Sequence, residues 1–183
     1  PKGAVKQFPI GSTPVDFAYS IHTQIGQQCV GAKVNGKIVS LRYLLKNGDI
    51  VEIVTTPAHQ PSKDWLKFVK TSRARTKIRQ WIKAEARDRS MDLGKEICER
   101  EFKKYHLDFA KIIKSDEMNT IIRDLSLQSA DDLMAEVGYG NVSSRHIIGR
   151  LLPPEKLEKE TKEKSRLRRL TKIIRREPSG IQI

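Results

Sequence analysis

The fold is decided by the stretch GSTPVDFAYSIHTQIG (residues 11–26), followed by CVGAKVNGKIV (29–39) and LKNGDIVEIV (45–54). In the first part, Pro14 can take the first position of a helix, where its missing N–H costs nothing. Apolar residues then recur at helical spacing. Gly26 is expected to end this helix as a left-handed cap.

The residues around this helix predict short strands. Residues 30–34 and 37–40 flank an Asn-Gly pair, which favours a tight hairpin because both residues tolerate positive φ. Residues 50–55 are rich in β-branched side chains, and residues 5–8 are a plausible first strand. This order of elements resembles a β-grasp (ubiquitin-like) fold, a mixed sheet of four or five strands with one helix across it.

The remainder of the chain predicts helices. After a β-grasp domain at 1–56, residues 57–62 form a linker with two prolines. Apolar residues at helical spacing then extend over 63–153. Residues 154–183 are basic and predict a flexible linker, or a helix that becomes ordered only on a partner. The predicted fold class is therefore α+β, a β-grasp domain followed by an all-α helical domain.

Within the helical part, residues 73–105 allow one long helix or two helices joined near Gly94. Trp65 and Trp81 are interpreted as core or docking residues before any functional role. Each of the shorter helices that follow is expected to begin after an N-cap serine, namely Ser115, Ser129 and Ser143.

Composition limits the classes of partner. The 183 residues carry a formal net charge of +13, which suggests a polyanion such as RNA, DNA or an acidic protein. A merely soluble basic surface is the alternative.

Cys29 and Cys98 have no CxxC partner, which favours a reducing cytoplasm and argues against a metal site. No apolar run approaches the roughly 20 residues of a membrane span, so no membrane contact is expected. The start at Pro1 suggests a piece of a longer protein.

No catalytic motif is visible in the sequence. None of the histidines has a Ser, Cys or carboxylate at nucleophile spacing. HxxxH, HExxH and paired-carboxylate motifs are missing, as is a glycine-rich phosphate loop. The sequence therefore predicts neither an active site of its own nor a cofactor or metal. The four histidines are His22, His59, His106 and His146.

His22 is the residue singled out for function. It is expected near the end of the first helix, where the cationic imidazolium form is favoured. Its flat ring could stack on an unpaired base or hydrogen-bond a phosphate or ribose hydroxyl. The alternative is a structural histidine that closes the helix on a local carbonyl. The residues alone leave both interpretations open.

Positive charge is concentrated in residues 63–89, which hold ten Lys and Arg against three acidic residues. Within this segment Arg73, Arg75, Lys77 and Arg79 alternate along a predicted helix, so they are expected around it and not in one stripe. Their functional interpretation is salt-dependent contact with RNA phosphates that is indifferent to sequence. The alternative is a solvated helix face.

A resemblance to a known family is carried by GSTPVDFAYSIHTQIG, GAKVNGKIV, LKNGDIVEIVT and SKDWLKFVKTSRARTKIRQW. Together they are similar to the TGS domain, and the helical region after it, of long Rel/SpoT-type (p)ppGpp synthetase/hydrolases. The first patterns are shared with TGS modules of threonyl-tRNA synthetases and some GTPases, whereas the last is more specific to Rel/SpoT. The resemblance covers about residues 1–150. It implies a non-enzymatic regulatory piece of a bacterial stringent-response protein, without that protein's catalytic domains. It also implies that residues 154–183 lead to a further C-terminal domain.

The resemblance also implies partners and site residues. In the family, the TGS module contacts the 3′ CCA end of a deacylated tRNA on a stalled ribosome, partly through the histidine of the IHT motif. The implied tRNA-contacting residue here is His22. Thr23, Gln27 and Gln28 follow it on the same predicted loop and Lys33 lies on the next predicted strand, so Thr23, Gln28 and Lys33 are further candidates to bond phosphates and ribose hydroxyls. Many relatives carry a basic residue where Gln28 stands, and a neutral amide makes a weaker hydrogen bond to phosphate.

A second hypothesis belongs to another class of function. The module could be a protein-interaction or allosteric adaptor, which binds acyl carrier protein as some family members do. It could also pack on the hydrolase and synthetase domains of the same chain. A very acidic partner would be attracted by the same positive charge.

Overall fold

The computed structural model describes residues 3–152 and falls into two units, Pro1–Ala86 and Arg87–Ile183. The predicted basic segment 154–183 lies outside the described residues. The predicted domain boundaries at 56 and 62 stay predictions, and the first unit extends past both. Its elements are α1 (Pro14–Ile21), α2 (Thr23–Gln27), β1 (Cys29–Val34), β2 (Lys37–Val39), β3 (Val51–Thr55), a 3₁₀ helix (Lys63–Lys67) and the start of α3 (Ser72–Lys103).

The sheet of the first unit is antiparallel, with the order β2-β1-β3. Ala32 at its centre pairs with Val39 on one side and Ile53 on the other. Asn35 and Gly36 both have positive φ, which confirms the predicted hairpin. This small sheet with the helices around it confirms the α+β, β-grasp-like class.

The strand count is corrected by the structure. Among residues 3–152 the sheet has three strands, all antiparallel, where four or five in a mixed sheet were expected. Residues 5–8 are not a strand. Their side chains instead attach them to α1, because the Phe8 ring lies 5.6 Å from the Phe17 ring and Lys6 Nζ donates to the carbonyl of Ser20 at 3.0 Å.

The predicted helix over 14–26 is broken at His22. The extended backbone of that residue (φ −156°, ψ 147°) separates α1 from α2. Gly26 is therefore not a left-handed cap but a residue inside α2. A Cβ built on Gly26 would lie 2.5 Å from the ring of Tyr19, so only glycine permits this contact between the ring and the α2 backbone.

The core of the first unit combines the β-grasp residues with side chains from beyond the predicted linker. Trp65 is only 6% exposed, which confirms its interpretation as a core residue. Because the 3₁₀ helix and the start of α3 contribute to this core, they are part of the unit that positions α1 and α2. The buried set is Val15, Ala18, Tyr19, Cys29, Trp65, Val69, Ala74 and Ile78.

The second unit contains the rest of α3 and four shorter helices, α4 (Phe109–Ile112), α5 (Asp116–Asp124), α6 (Ala130–Tyr139) and α7 (Ser144–Leu151). The predicted N-caps are confirmed, because Ser115, Ser129 and Ser143 accept hydrogen bonds from the N–H groups of Met118, Asp132 and Arg145. The helices enclose a core of their own, centred on Phe102, Leu133 and Ile147.

Helix α3 runs through Gly94 without a break, so the one-helix alternative is the one observed. A Cβ on Gly94 would lie 1.8 Å from the carbonyl oxygen of Met134, and one on Gly138 would lie 1.8 Å from that of Ser90. The two glycines therefore let α3 and α6 cross with their backbones in contact. Gly94 serves packing and is not a helix end.

Candidate nucleic-acid interface

His22 is exposed at the junction of α1 and α2, where it ends the first helix and begins the second. Its Nδ1 accepts a hydrogen bond from the N–H of Gln24 at 3.2 Å. A ring nitrogen that accepts a hydrogen bond carries no proton, so the neutral ring holds its proton on Nε2. The predicted position of His22 at the end of the first helix is confirmed, and its ring also caps the start of α2. Its Nε2–H is the group that remains to donate to a ligand.

Two further predicted residues lie at the ends of α2. Thr23 is its first residue and Gln28 its C-cap, and both are half-buried. The N–H of Gln28 donates to the carbonyl of Gln24 at 2.9 Å, and the carbonyl of Gln28 accepts from the N–H of Thr56 at 2.9 Å. The five residues of α2 therefore bring together His22, Thr23 and Gln28.

Lys33 stands apart from that group. It lies on β1 opposite Ile38 and Glu52, while its neighbours Ala32 and Val34 are buried. Because successive strand residues point to opposite faces, Lys33 belongs to the outer face of the sheet. The structure does not place it on the face that packs against α1.

The basic residues at the start of α3 form two rows. With 3.6 residues per turn, Arg73 pairs with Lys77 and Arg75 pairs with Arg79, one pair on each side of the buried Ala74. Arg73 and Arg79 are exposed. Arg75 Nε donates to the carbonyl of Val69 at 3.1 Å, so this side chain also holds the preceding turn in place.

The surface of the first unit is strongly positive. Residues 1–86 hold fourteen Lys and Arg against five Asp and Glu. One of the five, Asp16, is fully buried, and another, Asp64, is ion-paired with Lys67 at 2.6 Å. The hydrogen bond from Lys67 lowers the pKa of Asp64. A field of this sign attracts polyanions over a range set by ionic strength.

His59 is a residue of this region that the sequence did not single out. Its Nδ1 lies 3.4 Å from the carbonyl oxygen of Gln27, 32 residues earlier in the chain. Its ring stacks on Trp65, with the centroids 5.7 Å apart and the planes at 17°. The loop after β3 therefore closes on the C-terminal end of α2. No motif in the sequence signals this contact, because it joins two segments far apart in the chain.

Other chemistry is limited in the part of the chain that the structure describes. No group of three or more His, Cys, Asp or Glu residues there is arranged to hold a metal ion. Cys29 and Cys98 are free and buried, and burial raises their thiol pKa values to about 11 and about 12. Such thiols are poor nucleophiles near neutral pH. No helix within residues 3–152 has the length and apolar character needed to cross a membrane.

Comparison with protein families identifies two domains. Residues 1–55 match the TGS domain, and residues 81–152 match the RelA/SpoT AH domain. These matches confirm the resemblance that was identified from the four sequence stretches.

Full-length relatives carry names from (p)ppGpp metabolism. A GTP pyrophosphokinase of Myxococcus xanthus is 53% identical over 157 residues, which cover 86% of this chain and 21% of the relative. The bifunctional (p)ppGpp synthase/hydrolase RelA of Mycobacterium tuberculosis is 40% identical over 171 residues, covering 90% of this chain and 23% of the relative. The guanosine-3′,5′-bis(diphosphate) 3′-pyrophosphohydrolase of Aquifex aeolicus is 45% identical over 165 residues. These residues cover 90% of this chain and 23% of the relative. The chain spans about a fifth of the length of these relatives.

Proposed function

Because the chain belongs to the RelA/SpoT family as a TGS domain followed by an AH domain, we propose that it recognises the 3′ CCA end of a deacylated tRNA on a stalled ribosome. In this role it relays amino-acid starvation to the catalytic half of its parent protein. The chain itself contributes recognition and not catalysis. The parent is a GTP pyrophosphokinase, a (p)ppGpp 3′-pyrophosphohydrolase or both, since its relatives carry both names.

The observation that carries this proposal is the geometry of His22. The ring is exposed, and the N–H of Gln24 orients it through Nδ1. The Nε2–H can then donate to a phosphate or carbonyl oxygen of an unstacked nucleotide, and the ring face can stack on its base. Thr23 and Gln28 add a hydroxyl and an amide at the two ends of the same short helix.

The basic rows of α3 supply the second component of binding. Arg73 and Arg79 are exposed, and Arg75 and Lys77 are half-buried beside them. Contacts of such side chains with phosphates release counterions, so they add affinity without reading sequence. In the proposed function they hold the RNA while the α2 region reads its end.

The experiment replaces His22 without losing the start of α2. Asn is a good N-cap residue, so His22→Asn keeps an acceptor for the N–H of Gln24 and removes the imidazole. We expect affinity for ribosomes that carry deacylated tRNA to fall about three- to tenfold, the value of one lost hydrogen bond. His146→Asn, at an exposed histidine of α7, is the matched control and should change affinity less than twofold. Equal affinity of the His22→Asn and wild-type chains would contradict the proposal.

A second candidate function is supported by the outer face of the sheet. Ile38 is 83% exposed and Val54 is 42% exposed, with Lys33 between their strands. Apolar side chains beside a lysine suit an acidic protein partner, such as acyl carrier protein, or the catalytic domains of the same parent. Capture of such a partner that survives nuclease treatment, and is lost in Ile38→Ser, would favour this adaptor function.

A further inference from the structure

We propose that His59 is a second ligand-contacting residue of the α2 region and determines its preference for an RNA 3′ end with a free vicinal diol. This inference rests on the proposed function and adds a specificity-determining residue to it. His59 would accept a hydrogen bond from the ligand, whereas His22 donates one. The two histidines therefore read opposite hydrogen-bonding groups of one strand end.

The protonation of His59 follows from its neighbour. Its Nδ1 lies 3.4 Å from the carbonyl oxygen of Gln27, and a carbonyl oxygen can only accept. In the proposed arrangement the proton of the neutral ring is on Nδ1, which leaves Nε2 as an acceptor. In His22 the assignment is reversed, because Nδ1 accepts from the N–H of Gln24.

The ring of His59 is held in place on several sides. It stacks on the ring of Trp65, which is buried in the core of the first unit. The N–H of His59 donates to the carbonyl of Thr56 at 3.0 Å, and the N–H of Thr56 donates to the carbonyl of Gln28 at 2.9 Å. A ring fixed in this way loses little freedom when a ligand binds, so its hydrogen bond contributes more to affinity.

The two histidine rings bond to opposite ends of helix α2, His22 to the N–H of Gln24 and His59 to the carbonyl of Gln27. Helix α2 has five residues, with His22 immediately before it and Gln27, the contact of His59, at its end. At 1.5 Å per residue this corresponds to about 7.5 Å along the helix axis. Nucleotides stacked in one strand advance about 3.4 Å each, so the distance is that of about two nucleotides.

The chemistry of the 3′ end supplies the group that His59 would read. The terminal ribose of an uncharged RNA has two neighbouring hydroxyls, and each can donate a hydrogen bond. An ester at either oxygen removes one donor and adds bulk. A site built to hydrogen-bond a hydroxyl discriminates against a ligand that lacks it, because its own polar group is left unpaired.

The test measures the affinity of the chain for two versions of one RNA hairpin. One version has a CCA end with the free diol, and the other has the same end without both terminal hydroxyls. The full 183-residue chain is used, as wild type, His59→Phe and His22→Asn. Phe keeps an aromatic ring on Trp65 and removes the acceptor. We expect the wild type to prefer the diol about three- to tenfold, as one hydrogen bond provides. His59→Phe should lose that preference, whereas His22→Asn should keep it and bind both RNAs more weakly.

The outcomes separate the two proposals. If His59→Phe keeps the wild-type preference, or the wild type has none, the assignment of His59 is overturned. If removal of the whole CCA end leaves wild-type affinity unchanged, the proposed function itself fails. A second measurement, free of any substitution, is the ¹⁵N NMR spectrum of the histidine rings. It should show the proton on Nδ1 in His59 and on Nε2 in His22, and a proton on Nε2 of neutral His59 would contradict the inference.

Discussion

The carboxylate of Asp16 accepts a hydrogen bond from the backbone N–H of Thr71 at 2.7 Å, although 55 residues separate the two in sequence. The same carboxylate accepts from the hydroxyl of Thr71 at 2.8 Å and from the N–H of Lys70 at 3.0 Å. On its other side it accepts from the N–H and hydroxyl of Thr13, at 2.9 and 2.8 Å. Asp16 is fully buried, and these donors compensate for its loss of water. It therefore joins the start of α1 to the start of α3.

Replacement of Asp16 by Asn should destabilise the first unit. One carboxylate oxygen becomes an NH₂ group, which meets N–H and O–H donors instead of accepting from them. Buried donors left without an acceptor cost about 1–3 kcal/mol each, so we expect the free energy of unfolding to fall by about 2–4 kcal/mol. Urea denaturation followed by tryptophan fluorescence measures the change. Glu52→Gln, at an exposed carboxylate of β3, is the control and should change stability by less than about 0.5 kcal/mol.

Replacement of Gly94 by Ala should destabilise the second unit, although alanine is the better helix former by about 1 kcal/mol. The new Cβ would lie 1.8 Å from the carbonyl oxygen of Met134, so α3 and α6 must move apart. Overpacking of this kind costs about 1–3 kcal/mol. Thermal unfolding of Gly94→Ala and of Lys95→Ala, at the exposed position next to it, provides the comparison. If Gly94→Ala is as stable as the wild type, the backbones of α3 and α6 are not in direct contact at Gly94.

The salt dependence of RNA binding should report the basic rows of α3. Each phosphate contact that is removed lowers the slope of log K against log salt by about one unit. Arg73→Ala and Arg79→Ala should each lower this slope with no loss of stability, because both side chains are exposed. Arg75→Ala should also weaken folding, since Arg75 Nε binds the carbonyl of Val69. Lys114→Ala, at an exposed lysine of the second unit, is the control, and an equal slope for all four variants would contradict the assignment.

Alkaline pH should destabilise the first unit through Cys29. Burial raises the pKa of its thiol from 9.0 to about 11, so the folded state disfavours the thiolate. The contribution of the protonated thiol to the free energy of unfolding is therefore complete below pH 9. It falls by about 1.4 kcal/mol per pH unit as the pH rises towards 11. Urea denaturation between these pH values measures the loss. Cys29→Ala should show a shallower pH dependence than the wild type, and identical curves would rule out this thiol as the cause.

Local patterns predicted several features correctly. The Asn-Gly hairpin at 35–36 follows from backbone sterics, and the N-cap roles of Ser115, Ser129 and Ser143 follow from the position of a hydroxyl before an apolar run. The order of helices and strands was enough for the α+β class. These properties depend on neighbours within a few residues, so the sequence displays them directly.

Positions that depend on distant contacts were predicted less well. Gly26 is a residue type typical of a helix C-cap. In the structure it lies inside α2, where the lack of a Cβ lets the ring of Tyr19 pack against the backbone. Residues 5–8 were predicted as a strand from a short run of apolar and polar residues, but in the structure they contact α1 through their side chains and are not part of the sheet. In both cases a tertiary contact overrides a local preference, and that contact cannot be read from nearby residues.

The sequence by itself determined the β-grasp class, most of the helices and the excess of positive charge, which follow from composition and short-range periodicity. Its motifs also carried the resemblance to the Rel/SpoT family, which the domain matches bear out. Only the tertiary structure decided that His59 lies at the C-terminal end of α2, against a residue 32 positions earlier in the chain. It also decided that Asp16 joins two segments 55 residues apart. Hydrogen bonds over such separations form only when the chain is folded, so their physical effect on the site appears only in three dimensions.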